Sequence, residues 1–185
     1  MAKKKKVIKS GKKKYTIHRK WAYKNSKFCD KGAIKKKNVK YIVIHYTGNK
    51  GDTAKANANY FKANNDRYAG AQFVIDRKGT IYQCGRLKDA CYAVGGFYSQ
   101  GNGAGKYYKK CTNYNSISIE LCDIATQDPS KKQIEATRAI VKYIKKYCKN
   151  ADKVIRHWDV NGKGCPGRMT GKDNKEWKAL KKAIS

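Results

Sequence analysis

The chain has 185 residues, with 44 Lys or Arg against 13 Asp or Glu, a formal net charge of +31 at neutral pH. Hydrophobic residues make up 40% and aromatics 11%, enough for a real core, so a disordered basic tail is excluded. No run of roughly 18 apolar residues occurs, which excludes a membrane-spanning helix, and the charge restricts partners to polyanions: nucleic acid, an anionic membrane surface or an anionic polymer such as a bacterial wall. Seven of the basic residues are Arg and 37 are Lys. Lys is a hydrated point charge and Arg a planar fork for phosphates and base edges, so the surface favours diffuse attraction over base reading. The seven cysteines are odd in number and irregularly spaced. Lys3 to Lys6 lead into Val7-Ile8 and then into Lys9-Ser10-Gly11-Lys12, so no apolar signal stretch forms. Synthesis in a reducing cytosol with mostly free thiols is expected.

Residues 1–40 hold 16 Lys and one Arg against a single acid, Asp30. They read as a basic N-terminal arm with its first dozen residues mobile, while Trp21, Tyr23 and Phe28 suit a later part that packs. Tyr41 to Tyr46 is apolar and β-branched and stops at Thr47-Gly48, a buried strand. Thr53 to Asn64 is Ala-rich with Tyr60 and Phe61, a helix opened by an Asp52/Thr53 cap. Ala71–Asp76 and Thr80–Gln83 flank Arg77-Lys78-Gly79, a β-hairpin. Residues 84–114 hold six glycines and scattered tyrosines, a long loop of the kind that is usually functional. Ser116 to Leu121 alternates as a strand. Lys131 to Cys148 places Ile134, Thr137, Val141, Ile144 and Cys148 on one face of a helix. Val154 to His157 is a short strand leading into a glycine-rich loop over 161–171. Asp173-Asn174-Lys175-Glu176 is a capping-box pattern with Asp173 as the cap. It opens a last helix with Trp177, Leu180 and Ile184 inward. The expectation is one α/β domain over 41–185, a central mixed sheet flanked by helices.

Two of the three histidines, His45 and His157, close strands, and Cys165 follows eight residues after His157. Neighbouring strand ends lie roughly 5 Å apart. Two imidazoles on such ends and a thiolate on the adjoining loop can present two nitrogens and a sulfur to one zinc ion. Three protein ligands leave a fourth position open, the catalytic arrangement rather than the structural one. The alternative for each residue alone is a hydrogen-bonded core or surface side chain, and the 112-residue gap between the histidines is no local motif. His18 in the arm reads as a surface residue.

Three segments carry a resemblance: Tyr41-Ile-Val-Ile-His45-Tyr-Thr47, Asn115-Ser-Ile-Ser-Ile-Glu120, and Arg156-His157 through Lys163-Gly-Cys165-Pro-Gly167. In this order, over about residues 40–170, the chain resembles the zinc-dependent N-acetylmuramoyl-L-alanine amidases, a group that includes phage endolysins, autolysins and peptidoglycan recognition proteins. The resemblance implies a mixed sheet with the metal at its strand ends, and one zinc held by His45, His157 and Cys165. It implies Glu120 as the base that handles the attacking water and Lys163 as the cation facing the oxyanion. It implies cleavage of the amide between the lactyl group of N-acetylmuramic acid and L-alanine of the stem peptide. Gln72 and Ala93 stand where relatives often have histidine, and Ala71 where some have a tyrosine. Gln72, Tyr92 and Asn115 are candidate substrate-binding residues, Asn115 more as a loop brace than a reactant. Tyr92, Phe97, Tyr98, Tyr107 and Tyr108 of the long loop are expected to shape the groove.

The expected partners are peptidoglycan and anionic wall polymers, with no specific nucleic acid, and the expected state is a monomer acting on the wall after release from the cell. Three other readings compete. A basic nucleic-acid binder fits the charge, but no zinc finger, helix-turn-helix or aromatic RNA-binding signature occurs. A non-catalytic wall-recognition module would lack a metal ligand, and all three candidates are present. A thiol enzyme with Cys165 as nucleophile and His45 as base would need a lowered thiol pKa and no metal.

Overall fold

A computed structural model describes residues 4–21, 27–63, 67–96 and 103–185. Tyr23, Phe97, Tyr98 and the expected helix end at Asn64 lie outside the described residues. The strands are β1 (Lys5–Ser10), β2 (Lys13–Arg19), β3 (Cys29–Asp30), β4 (Tyr41–Tyr46), β5 (Phe73–Ile75), β6 (Ile81–Gln83), β7 (Ala90–Cys91), β8 (Ser116–Leu121) and β9 (Lys153–Arg156). The helices are α1 (Ala54–Lys62), α2 (Lys131–Tyr147), α3 (His157–Asn161) and α4 (Lys175–Ile184). Seven strands form one mixed sheet in the order β1-β2-β6-β5-β8-β4-β9, and β3 pairs with β7 in a separate two-stranded piece. The mixed α/β architecture is the one expected.

The centre of the sheet is parallel: β5, β8, β4 and β9 run the same way. Both of its faces are covered, which is why β4 reads as a continuous apolar run rather than an alternating one. Alternation still decides what each residue meets. Ile42 and Ile44 join Ile117, Ile119 and Leu121 in the main core under α2 and α4, while Tyr41 and Val43 face a second cluster with Ile155 and Val160. Helix α2 starts where Ser130 accepts the N–H of Gln133 at 3.1 Å. Gln133 itself is buried, and its side-chain amide donates to the carbonyls of Ile75 and Cys122 at 2.9 Å each. A polar helix residue thereby gives the Cys122 carbonyl a donor in the core and adds a second to the Ile75 carbonyl, which also accepts the Cys122 N–H at 2.9 Å.

The structure differs from the sequence reading in three places. Within the first dozen residues, Lys5–Ser10 are not a free arm: β1 and β2 form an antiparallel hairpin, and β2 adds parallel to β6. Ile17 is fully buried in the main core, and Lys13 reaches Glu135 of α2 at 2.7 Å. His157 does not end a strand but opens the short helix α3. The cap of α4 is Asn174, accepting the N–H of Trp177 at 2.8 Å, rather than Asp173. Trp177, Leu180 and Ile184 do point inward. All seven cysteines are buried free thiols. Among the described residues, no helix is long and apolar enough to cross a membrane.

Candidate active site

The C-terminal ends of the parallel strands meet at one edge of the sheet. There β4 and β8 are in register, with His45 opposite Glu120 and Val43 opposite Ser118. Strand pleating therefore puts His45, Ser118 and Glu120 on one face, away from the main core. His157 follows β9 directly, and its ring centroid lies 4.7 Å from that of His45. Cys165 arrives on the loop after α3, with Sγ 3.8 Å from His45 Nδ1. One donor atom from each of His45, His157 and Cys165 lies within 4.8 Å of the others, and all three residues are buried. Tetrahedral zinc with bonds of about 2.1 Å to nitrogen and 2.3 Å to sulfur needs donor separations of about 3.5–4 Å, a small contraction from this spacing.

The electrostatics suit a cation. Burial, then the neighbouring His157, then Lys163 hold His45 well below its usual imidazole range. Burial and Lys163 push His157 down to about 4. Both rings are thus neutral at physiological pH, the form that ligates metal. Burial pushes the Cys165 thiol well up, opposed by the backbone of Tyr46 and by Lys163. A thiol with a raised pKa is a poor nucleophile, which disfavours the thiol-enzyme reading. Outer contacts fix the rings: His45 Nε2 meets Ser118 Oγ at 3.1 Å, leaving Nδ1 for the centre. The His157 ring bonds the Gly95 backbone, yet its Nε2 is sealed from solvent with no partner among the described residues.

An orphaned buried nitrogen asks for a ligand, and two further orphans lie at the C-terminal ends of β8 and β4. Glu120 Oε2 and Thr47 Oγ1 are also buried without partners among the described residues. Both residues line a cleft of about 500 Å³ whose other walls include Tyr46, Asp52, Asn57, Tyr60 and Lys163. Burial raises the Glu120 carboxyl to about 7, with Lys163 pulling it down and Asp52 pushing it up. The residue as a whole is only half-buried, so this reflects the enclosed Oε2 rather than complete removal from water.

Five predicted residues, His45, Glu120, His157, Lys163 and Cys165, therefore come together. The other three stand apart from the cleft walls. Gln72 is buried, accepting the Ser118 N–H and donating to the Asp89 carbonyl, both at 2.8 Å. It braces the strand that carries Ser118 and Glu120. Asn115 accepts the N–H of Thr112 at 2.8 Å and donates to the Lys110 carbonyl at 2.9 Å, a loop brace. Tyr92 packs near Tyr68, with ring centroids 6.3 Å apart. The described part of the long loop backs the site instead of walling the cleft. Asn161 donates to Gly95 at 2.7 Å, and Tyr107 N–H donates to Asp159 at 2.9 Å.

Sequence reasoning missed the device that holds Cys165 in place. Arg156 is buried and donates to the carbonyls of Met169 at 2.6 Å and Gly171 at 2.9 Å, at the far end of the cysteine loop. Its guanidinium also pairs with Asp159 at 2.7 Å and lies 4.4 Å from the Trp158 ring. Trp158 N–H in turn donates to the Cys165 carbonyl at 2.8 Å. The signal was an Arg three residues before an Asp inside an apolar strand-to-helix junction.

The sequence pattern of the family described as N-acetylmuramoyl-L-alanine amidase matches residues 35–168. The chain belongs to this family. It is 28% identical over 141 residues to a probable N-acetylmuramoyl-L-alanine amidase of Bacillus licheniformis, covering 74% of this chain and 39% of that protein. It is 29% identical over 148 residues to the N-acetylmuramoyl-L-alanine amidase CwlA of Bacillus subtilis, covering 79% of this chain and 49% of that one. The chain thus spans between two-fifths and half the length of these curated relatives. Among solved structures, a mutant endolysin from Bacillus subtilis superposes with a TM-score of 0.70 at 27% identity, covering 92% of this chain and 99% of that one. The family pattern takes in all five residues gathered at the strand ends.

Proposed function

We propose that the protein is a zinc-dependent N-acetylmuramoyl-L-alanine amidase that hydrolyses the bond between the lactyl group of N-acetylmuramic acid and L-alanine in peptidoglycan. The observation that carries this reading is the buried His45–His157–Cys165 donor set beside an open cleft holding Glu120 and Lys163, in a chain of this family. The donors fit zinc: two neutral imidazoles and a thiol that would bind as thiolate, with one ring nitrogen left orphaned. When bound, zinc would polarise the scissile carbonyl and make water acidic enough to attack near neutral pH.

The chain's own residues supply the rest. Glu120 takes the proton of the attacking water on its carboxylate, and a pKa near 7 lets it return that proton to the departing alanine nitrogen. Lys163, which projects into the cleft from the cysteine loop, faces the negative charge that develops on the carbonyl oxygen. Gln72, Asn115 and Arg156 act on the site through the backbone they hold. Tyr92 stands outside the cleft walls, packed near Tyr68, so any contact it makes with the stem peptide lies beyond the cleft itself. The Lys-rich surface attracts anionic wall polymers. A recognition module without chemistry has no use for an orphaned base beside a complete donor set, and that favours the enzyme.

The test is digestion of purified Gram-positive peptidoglycan with and without a chelator. The expected result is new free alanine amino groups, no new reducing sugar ends, and loss of activity on chelation that zinc restores. Reducing ends would make the protein a glycosidase, and full activity after complete metal removal would overturn the zinc assignment.

A further inference from the structure

A second pocket, of about 300 Å³, shares no lining residue with the cleft. It opens on the other face of the sheet. Gln83 pairs with Phe73, which meets Tyr143 of α2 in the main core, and Phe73 pairs with Ile119, so Glu120, one residue on, faces the opposite way. Arg19 pairs with Gln83 from β2, three strands across the sheet from β8. The pocket's lining includes five basic residues, Lys6, Arg19, Lys36, Arg86 and Lys88, and no acidic one. Arg86 is already paired with Asp89 at 2.9 Å. Three lysines from three separate segments thus converge on one concavity, which is more than a solvated charged face needs.

Two details narrow the ligand. The tyrosine faces at this pocket are already covered by ammonium groups. Lys6 Nζ lies 4.7 Å from the ring centroids of both Tyr143 and Tyr147, and Lys36 Nζ lies 5.6 Å from the Tyr147 ring. Lys6 also bonds both phenol oxygens, at 3.3 and 3.4 Å. The third aromatic residue of the lining, Trp21, has the Arg19 guanidinium 5.6 Å from its ring centroid, so each ring of the pocket already carries a cation, which disfavours base stacking by a single-stranded nucleic acid. The second detail is Gln83. It is 2% exposed, and its Oε1 has no hydrogen-bond partner among the described residues. A buried amide oxygen left unpaired calls for a donor, which phosphate diesters alone lack and a hydroxyl supplies.

We propose that this pocket binds a polyol-phosphate chain, with its phosphates on Lys6, Lys36 and Lys88 and a polyol hydroxyl donating to Gln83 Oε1. The choice of a wall polymer as the source of that chemistry rests on the wall-hydrolase reading above. Because the pocket and the cleft share no lining residue and lie on opposite faces of the sheet, one chain can hold the polymer and engage a stem peptide at once. That raises the local concentration of substrate without competing for the cleft.

The experiment measures binding of poly(glycerol phosphate) to the full chain by calorimetry, in three forms. These are the unaltered protein, Lys36→Gln with Lys88→Gln, and a charge-matched control, Lys181→Gln with Lys182→Gln on exposed α4 positions. The pocket pair should lose on the order of tenfold in affinity and the control about twofold or less. Equal losses would reduce the pocket to diffuse charge and overturn the proposal. So would affinity for oligothymidylate or phosphatidylglycerol vesicles that matches that for the polyol phosphate. Gln83→Met, near in volume, should erase the preference for poly(glycerol phosphate) over hydroxyl-free polyphosphate, and a retained preference removes Gln83 from the site. Hydrolysis of a small soluble muramyl peptide should be unchanged in the pocket pair. Absence of hydrolysis in the unaltered protein would sink the amidase reading while leaving the binding result to stand by itself.

Discussion

Arg156→Met separates folding from metal holding at the active site. Methionine keeps much of the apolar bulk between Trp158 and Trp177 but removes the guanidinium, whose side chain is 4% exposed. Two carbonyls, of Met169 and Gly171, lose their donors. A buried acceptor stranded in this way costs about 1–3 kcal/mol. Asp159 loses its ion pair but keeps the N–H of residue 156 at 2.8 Å and some contact with water, which softens its share. The sum falls at about 3–5 kcal/mol, the usual range for breaking a buried pair. A domain of this size has about 5–15 kcal/mol in hand, so the variant should fold with a melting point lowered by about 10 °C. The more telling effect is on zinc. With the far end of its loop unclamped, Cys165 is no longer held against His45, and zinc affinity should fall about 10–100-fold. Competition against a chelator of known affinity measures this, with thermal melts alongside. Arg156→Lys keeps the charge but cannot fork, so it should fall between. A lowered melting point with zinc affinity unchanged would refute the clamp as a positioning device.

Other changes should read out separate parts of the site. Glu120→Gln should keep one zinc per chain while turnover falls about 10²–10⁴-fold, and a near-normal rate would remove Glu120 as the base. The same variant tests the electrostatics. In chelator, a carboxyl raised from 4.5 to about 7 means that the folded state binds more protons than the unfolded one in that window. The Glu120 contribution to stability should therefore fall as pH rises from about 4.5 to 7, while the contributions of His45 and His157, held below their usual range, rise over the lower part of the same window. The Gln variant should lack the Glu120 component, so its stability should climb more steeply with pH than that of the unaltered protein in urea titrations. The difference should be less than the roughly 3 kcal/mol of the full shift, because part of the side chain meets water. Lys163→Met should lower kcat about 10–100-fold with little change in KM, whereas a pure KM effect would make Lys163 a binding residue. Gly167 has φ of +56°, and a Cβ there would sit 3.0 Å from the Tyr46 ring. Gly167→Ala should cost about 1–3 kcal/mol and weaken zinc binding, as seen by melting and competition, and an unperturbed variant would show that the loop can relax.

The site was legible where chemistry and local pattern coincide. His45 and Glu120 sit at the ends of apolar strands, and the register that puts them opposite one another follows from two runs of equal length ending together. Other features depend on pairings that no local pattern records. The hairpin over 5–19 does alternate, with Ile8 and Ile17 turned inward, but Val7 and Thr16 point outward beside Lys5, Lys9 and Lys14, and Lys6 takes an inward place, so the sequence hides the period. Its partner β6 lies some sixty residues away. Asp173 and Asn174 are both good caps, and only the geometry of the turn selects between them. Gln72 looked like a cleft residue because relatives often carry a histidine there. Its amide is instead consumed by a strand N–H and a loop carbonyl, a role invisible without Asp89 and Ser118 in place.

The placement of charge changes how the basic N-terminal region should be probed. Read as an arm, it invites truncation, with any loss of wall binding credited to lost charge. In the structure the first dozen residues carry an edge strand, and the hairpin they begin buries Ile17 against the main core. Lys13 is tied to Glu135, and Lys6 lies over two tyrosines of α2. Deletion of the first dozen residues would expose the edge of β2, strip apolar cover from α2 and remove Lys6 from the pocket together. A drop in lysis would then report unfolding and charge at once. Single neutral substitutions at lysines that make no packing contact keep these effects apart. Within such a set, diffuse attraction predicts losses that track net charge and vanish as salt shortens the Debye length below about 8 Å. A built site predicts losses that depend on which lysine is changed. The two patterns differ in position dependence at constant net charge, so charge-matched pairs decide between them where truncation cannot.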